Sequence, residues 1–297
     1  MKKTRKQTSF EDALEVWLLD ARAARLTDRT IDFYRRSAQH FIRWAVTQQL
    51  TTVEQVTTLH VRQYLAHLRE LGHSANYQNN LYRAVKQFFK FCVAEELIGE
   101  SPFTKNVRAP RPERKELQAV TNGELRRVLR ACDNRRDRAL VRLLASSGIR
   151  AAELCALNVE SVDLVTGLVR VKQGKGQKDR STFCDKSTRT ALKLYLLERG
   201  DTTPDEPLFL TLRRAERLTP NTIVQIFRRL QLASKVPHVS AHALRRTFAL
   251  NCLRGGMNIY VLARLMGHAD IAALERYLPL TGQDIEDEYS RRGPKEV

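Results

Sequence analysis

Apolar positions in the first hundred residues return every three or four places. In SFEDALEVWLLDARAA they are Phe10, Leu14, Trp17, Leu18 and Ala21, which share one face of a helix. The spacing predicts a second helix over 27–48, with Ile31, Tyr34, Ala38, Phe41, Ile42 and Ala45 as its stripe. Thr58 is placed to cap a third helix that runs to Glu70 and stops at Gly72. Ser74 is placed to cap a fourth, where Tyr77, Leu81, Val85, Phe88, Phe89 and Cys92 recur at helical spacing. Four such amphipathic helices bury their stripes against one another as a small bundle. Over 99–120, the stretch GESPFTKNVRAPRPERKELQAV has prolines and many charges but no sustained apolar period, and reads as an extended connector.

Beyond the connector, Thr121 with Glu124 forms a capping box that restarts helical structure. Helical patterns follow to about Ala131, through RDRALVRLLASSG and over AAELCAL. The period then changes. GLVRVKQ and STFC are short, partly β-branched pieces separated by the turn-rich GKGQKDR, which predicts a small antiparallel sheet. Helices return over 186–198, after Thr219-Pro220, over SAHALRRTFALNCLRGG, and in NIYVLARLMG and DIAALERYL. The fold class is mainly α, a helical bundle followed by a mainly helical domain with a small antiparallel β-sheet.

Charge changes this picture from architecture to partner. The chain carries a formal net charge of +18 over 297 residues, with a pI near 10.1. Residues 1–110 hold 17 basic and 11 acidic side chains, residues 111–280 hold 31 and 17, and the last seventeen hold 3 and 5. The second half therefore carries most of a positive field that suits a polyanion, either nucleic acid or an anionic membrane. No segment is both strongly basic and amphipathic in the way a membrane-surface helix is, so no membrane partner is expected. The start, MKKTRK, leads into a mixed segment and not an apolar signal core, and the five cysteines contain no C-x-x-C pair. A cytoplasmic protein with reduced thiols is the expectation.

Four segments of the second half gather groups that a phosphate attracts. In SSGIRAAEL, Arg150 follows a glycine at a helix junction and Glu153 lies three residues on. In VKQGKGQKDR, Lys172, Lys175, Lys178 and Arg180 crowd a glycine-bearing hairpin that lacks the full nucleotide-binding P-loop pattern. In AHALRRTF, His242 and Arg245 share a helix face. In LMGHADIAALERY, His268 follows Gly267 at a turn, and Tyr277 ends the next helical piece. Each has an ordinary alternative: an ion-pair partner of Glu153, a solvated basic loop, a polar helix face, a boundary aromatic. Taken together they offer arginines, histidines, a lysine and a tyrosine, without a carboxylate cluster or H-E-x-x-H that would hold a catalytic metal. That inventory suits metal-free phosphoryl transfer with tyrosine as nucleophile, and no cofactor is expected.

In order and approximate spacing, Arg150, Lys175, His242-x-x-Arg245, Gly267-His268 and Tyr277 resemble the tyrosine recombinase family, most nearly its Xer-type and phage-integrase-like members. The resemblance covers nearly the whole chain. It implies a SAM-like, core-binding helical DNA-binding domain over 1–105, a linker over 106–120, a catalytic domain over 121–280, and a tail over 281–297 for contact with a neighbouring protomer. It also implies that Tyr277 attacks a scissile phosphate to give a 3'-phosphotyrosyl link, that Arg150 and Arg245 hold the non-bridging oxygens, and that Lys175 protonates the 5'-oxygen. His242 and His268 would position the phosphate and assist proton transfer, with Glu153 supporting Arg150. The partner implied is double-stranded DNA with paired inverted half-sites, bound by a homo-tetramer on two sites or with a related recombinase. The family's usual H-x-L-R-H carries Arg246 at its last position here.

Arg35, Arg36, Arg83, Lys86 and Lys90 in the bundle, and Lys172, Lys178 and Arg180 in the hairpin, are candidate DNA contacts. Two other functions share parts of the pattern. A type IB topoisomerase uses a tyrosine and arginines but does not pair two sites, and a non-catalytic DNA-binding protein needs only the charge.

Overall fold

The computed structural model describes residues 7–111, 118–172, 179–267 and Ser290. The chain divides into two compact units, Met1–Lys115 and Glu116–Val297.

Unit 1 is built from α1 (Phe10–Ala23), α2 (Asp28–Thr47), α3 (Thr58–Glu70) and α4 (Ala75–Ala94). Short polar side chains start these helices by accepting an orphan backbone N–H: Ser9 from Asp12, Thr27 from Thr30, Ser74 from Tyr77. The cap of α3 is Thr57, one residue before the expected Thr58, which is already helical. Thr57 is extended and exchanges hydrogen bonds with His60, its Oγ1 accepting from the His60 amide and His60 Nδ1 from the Thr57 amide. The core is aromatic. Phe41 is fully buried and meets Phe10, Tyr64 and Phe89 edge-on, while Trp17 packs on Tyr34 and Phe88.

Unit 2 runs α5 (Asn122–Arg130), α6 (Arg135–Ser147), α7 (Ala151–Ala156), β1 (Leu168–Val171), β2 (Arg180–Phe183), α8 (Lys186–Arg199), α9 (Pro220–Ser234), α10 (Ala241–Arg254) and α11 (Ile259–Met266). The Thr121–Glu124 capping box and Pro220 at the first turn of α9 are present as the sequence predicts. Helix α6 packs against both α8 and α10, and its Leu140, Leu143 and Leu144 are fully buried. Strands β1 and β2 pair antiparallel, with Leu168 opposite Phe183 and Val171 opposite Arg180. The expected helix over DIAALERYL lies outside the described residues.

One glycine shapes the approach to the site. Gly148 ends α6 at φ 64°, and a Cβ there would sit 2.3 Å from a ring carbon of Phe248 on α10. Both the left-handed backbone and the close ring demand glycine. Gly148→Ala is expected to destabilise unit 2 by about 2 kcal/mol or more, read as a lower urea midpoint. A change within about 0.5 kcal/mol, the range of an ordinary surface substitution, would mean that α6 and α10 part easily here.

Candidate active site

The site grows from the end of a helix. Helix α11 stops at Gly267, whose left-handed φ of 64° turns the chain out of the helix, and whose amide donates to the Ala263 and Arg264 carbonyls. Among the described residues, the next three carbonyls, those of Leu265, Met266 and Gly267, accept no helical amide, and they lie at the negative end of the helix dipole. Three arginines from three different elements serve them. Arg180 Nε donates to Leu265 at 2.9 Å, Arg245 Nη2 to Met266 at 2.7 Å, and Arg150 Nη2 to Gly267 at 3.0 Å.

Behind this end, Glu153 ties two of the arginines together. Arg150 is the N-cap of α7; its amide donates to Glu153 Oε2 at 2.6 Å and its Nη1 to Oε1 at 2.8 Å. Arg180, the first residue of β2, donates from Nη1 to Oε1 at 2.8 Å and from Nη2 to Oε2 at 2.7 Å. Both carboxylate oxygens therefore accept twice. Burial raises the Glu153 pKa, but the hydrogen bonds from Arg180 and from the Arg150 amide and guanidinium outweigh it and bring it down to about 2. Arg245, on α10, is buried and also donates from Nη1 to the Gly148 carbonyl. Two guanidiniums thus pair with one carboxylate, and the third, that of Arg245, reaches the same helix end, a concentration of positive charge that suits an anion.

His242 lies one turn before Arg245 on α10, exposed at the surface. Partial desolvation of its ring, then the Arg246 and Arg245 charges, push its pKa below the ordinary histidine value. At neutral pH it is therefore an unprotonated imidazole that can accept a proton. Lys175, Lys178, His268 and Tyr277 lie outside the described residues.

Of the expected DNA contacts, Arg83, Lys86 and Lys90 are exposed along one side of α4. Arg35 is half-buried, and Arg36 is exposed with an Asp32 partner at 3.1 Å. Lys172 is exposed and lies 3.5 Å from Glu160. Arg180 is placed differently from these. Its side chain is only 7% exposed and its fork is closed on Glu153 and Leu265, within the site. The sequence signal that separates it from its neighbours is strand alternation: Arg180 falls in step with the fully buried Thr182, while Ser181 and Phe183 face out.

The chain matches the model of the phage integrase family over residues 118–283 and that of the phage integrase N-terminal SAM-like domain over residues 14–98. It is 30% identical to the tyrosine recombinase XerC of Pseudomonas aeruginosa, covering 95% of this chain and 94% of the relative. With the tyrosine recombinase XerA of Pyrococcus horikoshii it shares 32% identity over 75% of this chain and 76% of that one. Its fold is that of the Tn1549 transposon integrase, solved in complex with circular intermediate DNA, at a TM-score of 0.76 and 18% identity over 94% of this chain and 99% of that one. The chain belongs to the phage integrase family as a Xer-like tyrosine recombinase, a site-specific strand-transfer enzyme. No described helix is long and apolar enough to cross a membrane.

Proposed function

We propose that this recombinase cleaves and rejoins double-stranded DNA at paired inverted half-sites through a covalent bond to Tyr277. One observation carries the assignment of the site: Arg150 and Arg245, distant in sequence, meet at the end of α11, and the next residue in the chain is His268. Arg150 and Arg245 bind the non-bridging oxygens of the scissile phosphate, and His268 helps to position it. His242, neutral at pH 7, takes the proton from the Tyr277 phenol as its oxygen attacks phosphorus. The bond from phosphorus to the 5'-oxygen breaks, the Lys175 ammonium protonates that oxygen, and a 3'-phosphotyrosine and a 5'-hydroxyl result. The 5'-hydroxyl of a partner strand reverses the step, so the bond energy is kept in the link. Glu153 supports Arg150.

In the same reading, residues 1–105 form a core-binding domain that lies on the DNA with the Arg83, Lys86 and Lys90 face of α4. Residues 106–120 link it to the catalytic domain of 121–280, and the acidic 281–297 tail contacts a neighbouring protomer. Four protomers on two sites exchange strands in pairs through a Holliday junction. The test is to trap the protein on DNA in its native cell, recover the covalent adducts and sequence them. Inverted half-sites flanking one cleavage position per strand are the expected result. Cleavage scattered over unrelated positions means a relaxing topoisomerase, and absence of any adduct means a non-catalytic DNA-binding protein.

A further inference from the structure

Arg180 makes three hydrogen bonds within the site, to Glu153 and to the end of α11. It opens β2, the strand that follows the hairpin segment containing Lys175. Its Nη1 and Nη2 grip the two oxygens of Glu153, and its Nε holds the Leu265 carbonyl. One enclosed side chain thus joins the start of β2, the start of α7 and the end of α11. We propose that Arg180 is a positioning residue for strand cleavage, which sets the guanidinium of Arg150 and fixes the start of β2 to the end of α11. This rests on the recombinase reading above.

The geometry explains how. A guanidinium is planar, so fixing two of its nitrogens fixes the direction of all five N–H donors. Arg150 is fixed at Nη1 by Glu153 and at Nη2 by the Gly267 carbonyl. Both anchors lean on Arg180. It holds Glu153 directly, and it holds α11 two residues before Gly267. Without Arg180, each Glu153 oxygen keeps, among the described residues, a donor only from Arg150, and the Leu265 carbonyl loses its described partner. The carboxylate and the helix end can then shift, and Arg150 shifts with them. A DNA contact by Arg180 would come at the expense of this positioning, because its Nε, Nη1 and Nη2 are all engaged on Leu265 and Glu153 and would have to leave the carboxylate that holds Arg150.

The test uses the full chain and a nicked suicide duplex carrying the half-sites recovered by trapping. Duplex affinity and its salt dependence are measured beside the single-turnover rate of adduct formation, after thermal melts show each variant folded at the assay temperature. Arg180→Met is expected to slow adduct formation about 100-fold, the size of effect that a small misplacement of a reacting group produces. Its Kd should stay within about threefold of wild type with an unchanged salt slope, since no phosphate contact is lost. Arg180→Lys keeps the charge but cannot reach Glu153 and Leu265 together, so it should recover part of the rate and remain about tenfold slow. If the Met variant does not fold, the Lys variant carries the test. A rate equal to wild type in the folded variants overturns the proposal. A weaker Kd with a shallower salt slope overturns it too, by making Arg180 a phosphate contact. If wild type itself forms no adduct, the recombinase reading is what fails; if wild type reacts and the Arg180 variants match it, only the positioning role fails.

Discussion

Tyr277→Phe should abolish covalent protein–DNA adduct on a suicide duplex while leaving duplex affinity within about twofold. The substitution removes one oxygen and keeps the ring, and that oxygen is the atom proposed to bond to phosphorus. Removing a nucleophile from a site whose groups act as a unit costs on the order of 10⁶-fold, so the adduct should fall below detection. The phenol's ordinary pKa of about 10 means that attack at neutral pH needs help. A neutral His242 to take the proton and a cluster of guanidiniums to favour the phenolate are what the described residues offer. Affinity is expected to persist because binding rests on many cationic contacts with the backbone, none of them the phenol. The measurement is a denaturing gel for the adduct and a shift titration for the Kd, wild type beside variant. Adduct formed by the variant would assign the nucleophile elsewhere. Binding without adduct by wild type, on a verified site, would end the catalytic reading.

The parts of the fold that follow local rules were legible in the sequence. Thr27, Ser74, Thr121 with Glu124, and Thr219 with Pro220 each start a helix where a short polar side chain meets a new apolar period. The α3 cap slipped by one because Thr57 and Thr58 are adjacent and equally able; the His60 ring, which returns the bond to Thr57, decides between them. The pairing of Arg150 with Glu153 was legible from their spacing. Its second guanidinium was not, because Arg180 sits in a run of lysines and glycines whose composition reads as a solvated loop. Only the two-residue alternation with buried Thr182 marks it. The end of α11 had no sequence signal beyond Gly267, since the acceptors that gather the arginines are backbone carbonyls, which every residue has.

Replacing Glu153 by glutamine should cost about 3 kcal/mol of stability at pH 7, and the cost should vanish in acid. The side chain is 12% exposed and faces the 7% exposed Arg180, so losing its charge leaves two guanidiniums without their counter-ion in a poorly solvated place. Linkage gives the same size independently. The carboxyl moves from 4.5 when unfolded to about 2 when folded, and each unit is worth about 1.4 kcal/mol. Because the folded value is the lower one, the contribution is complete above pH 4.5 and is lost as pH falls toward 2. Glutamine mimics the protonated acid at every pH. Urea melts at pH 7, 4 and 3 should therefore show the two proteins converging as the solution is acidified, wild type descending to meet the variant. A gap that stays constant with pH would mean that the loss comes from packing and not from charge. The same substitution should slow adduct formation on the order of 100-fold under conditions where the variant is folded, as the loss of one oriented donor does in other anion-stabilising sites. Stability and rate are then coupled through one carboxylate: the ion pair that links α7 with β2 is also what orients the Arg150 fork that the proposed mechanism sets on the phosphate.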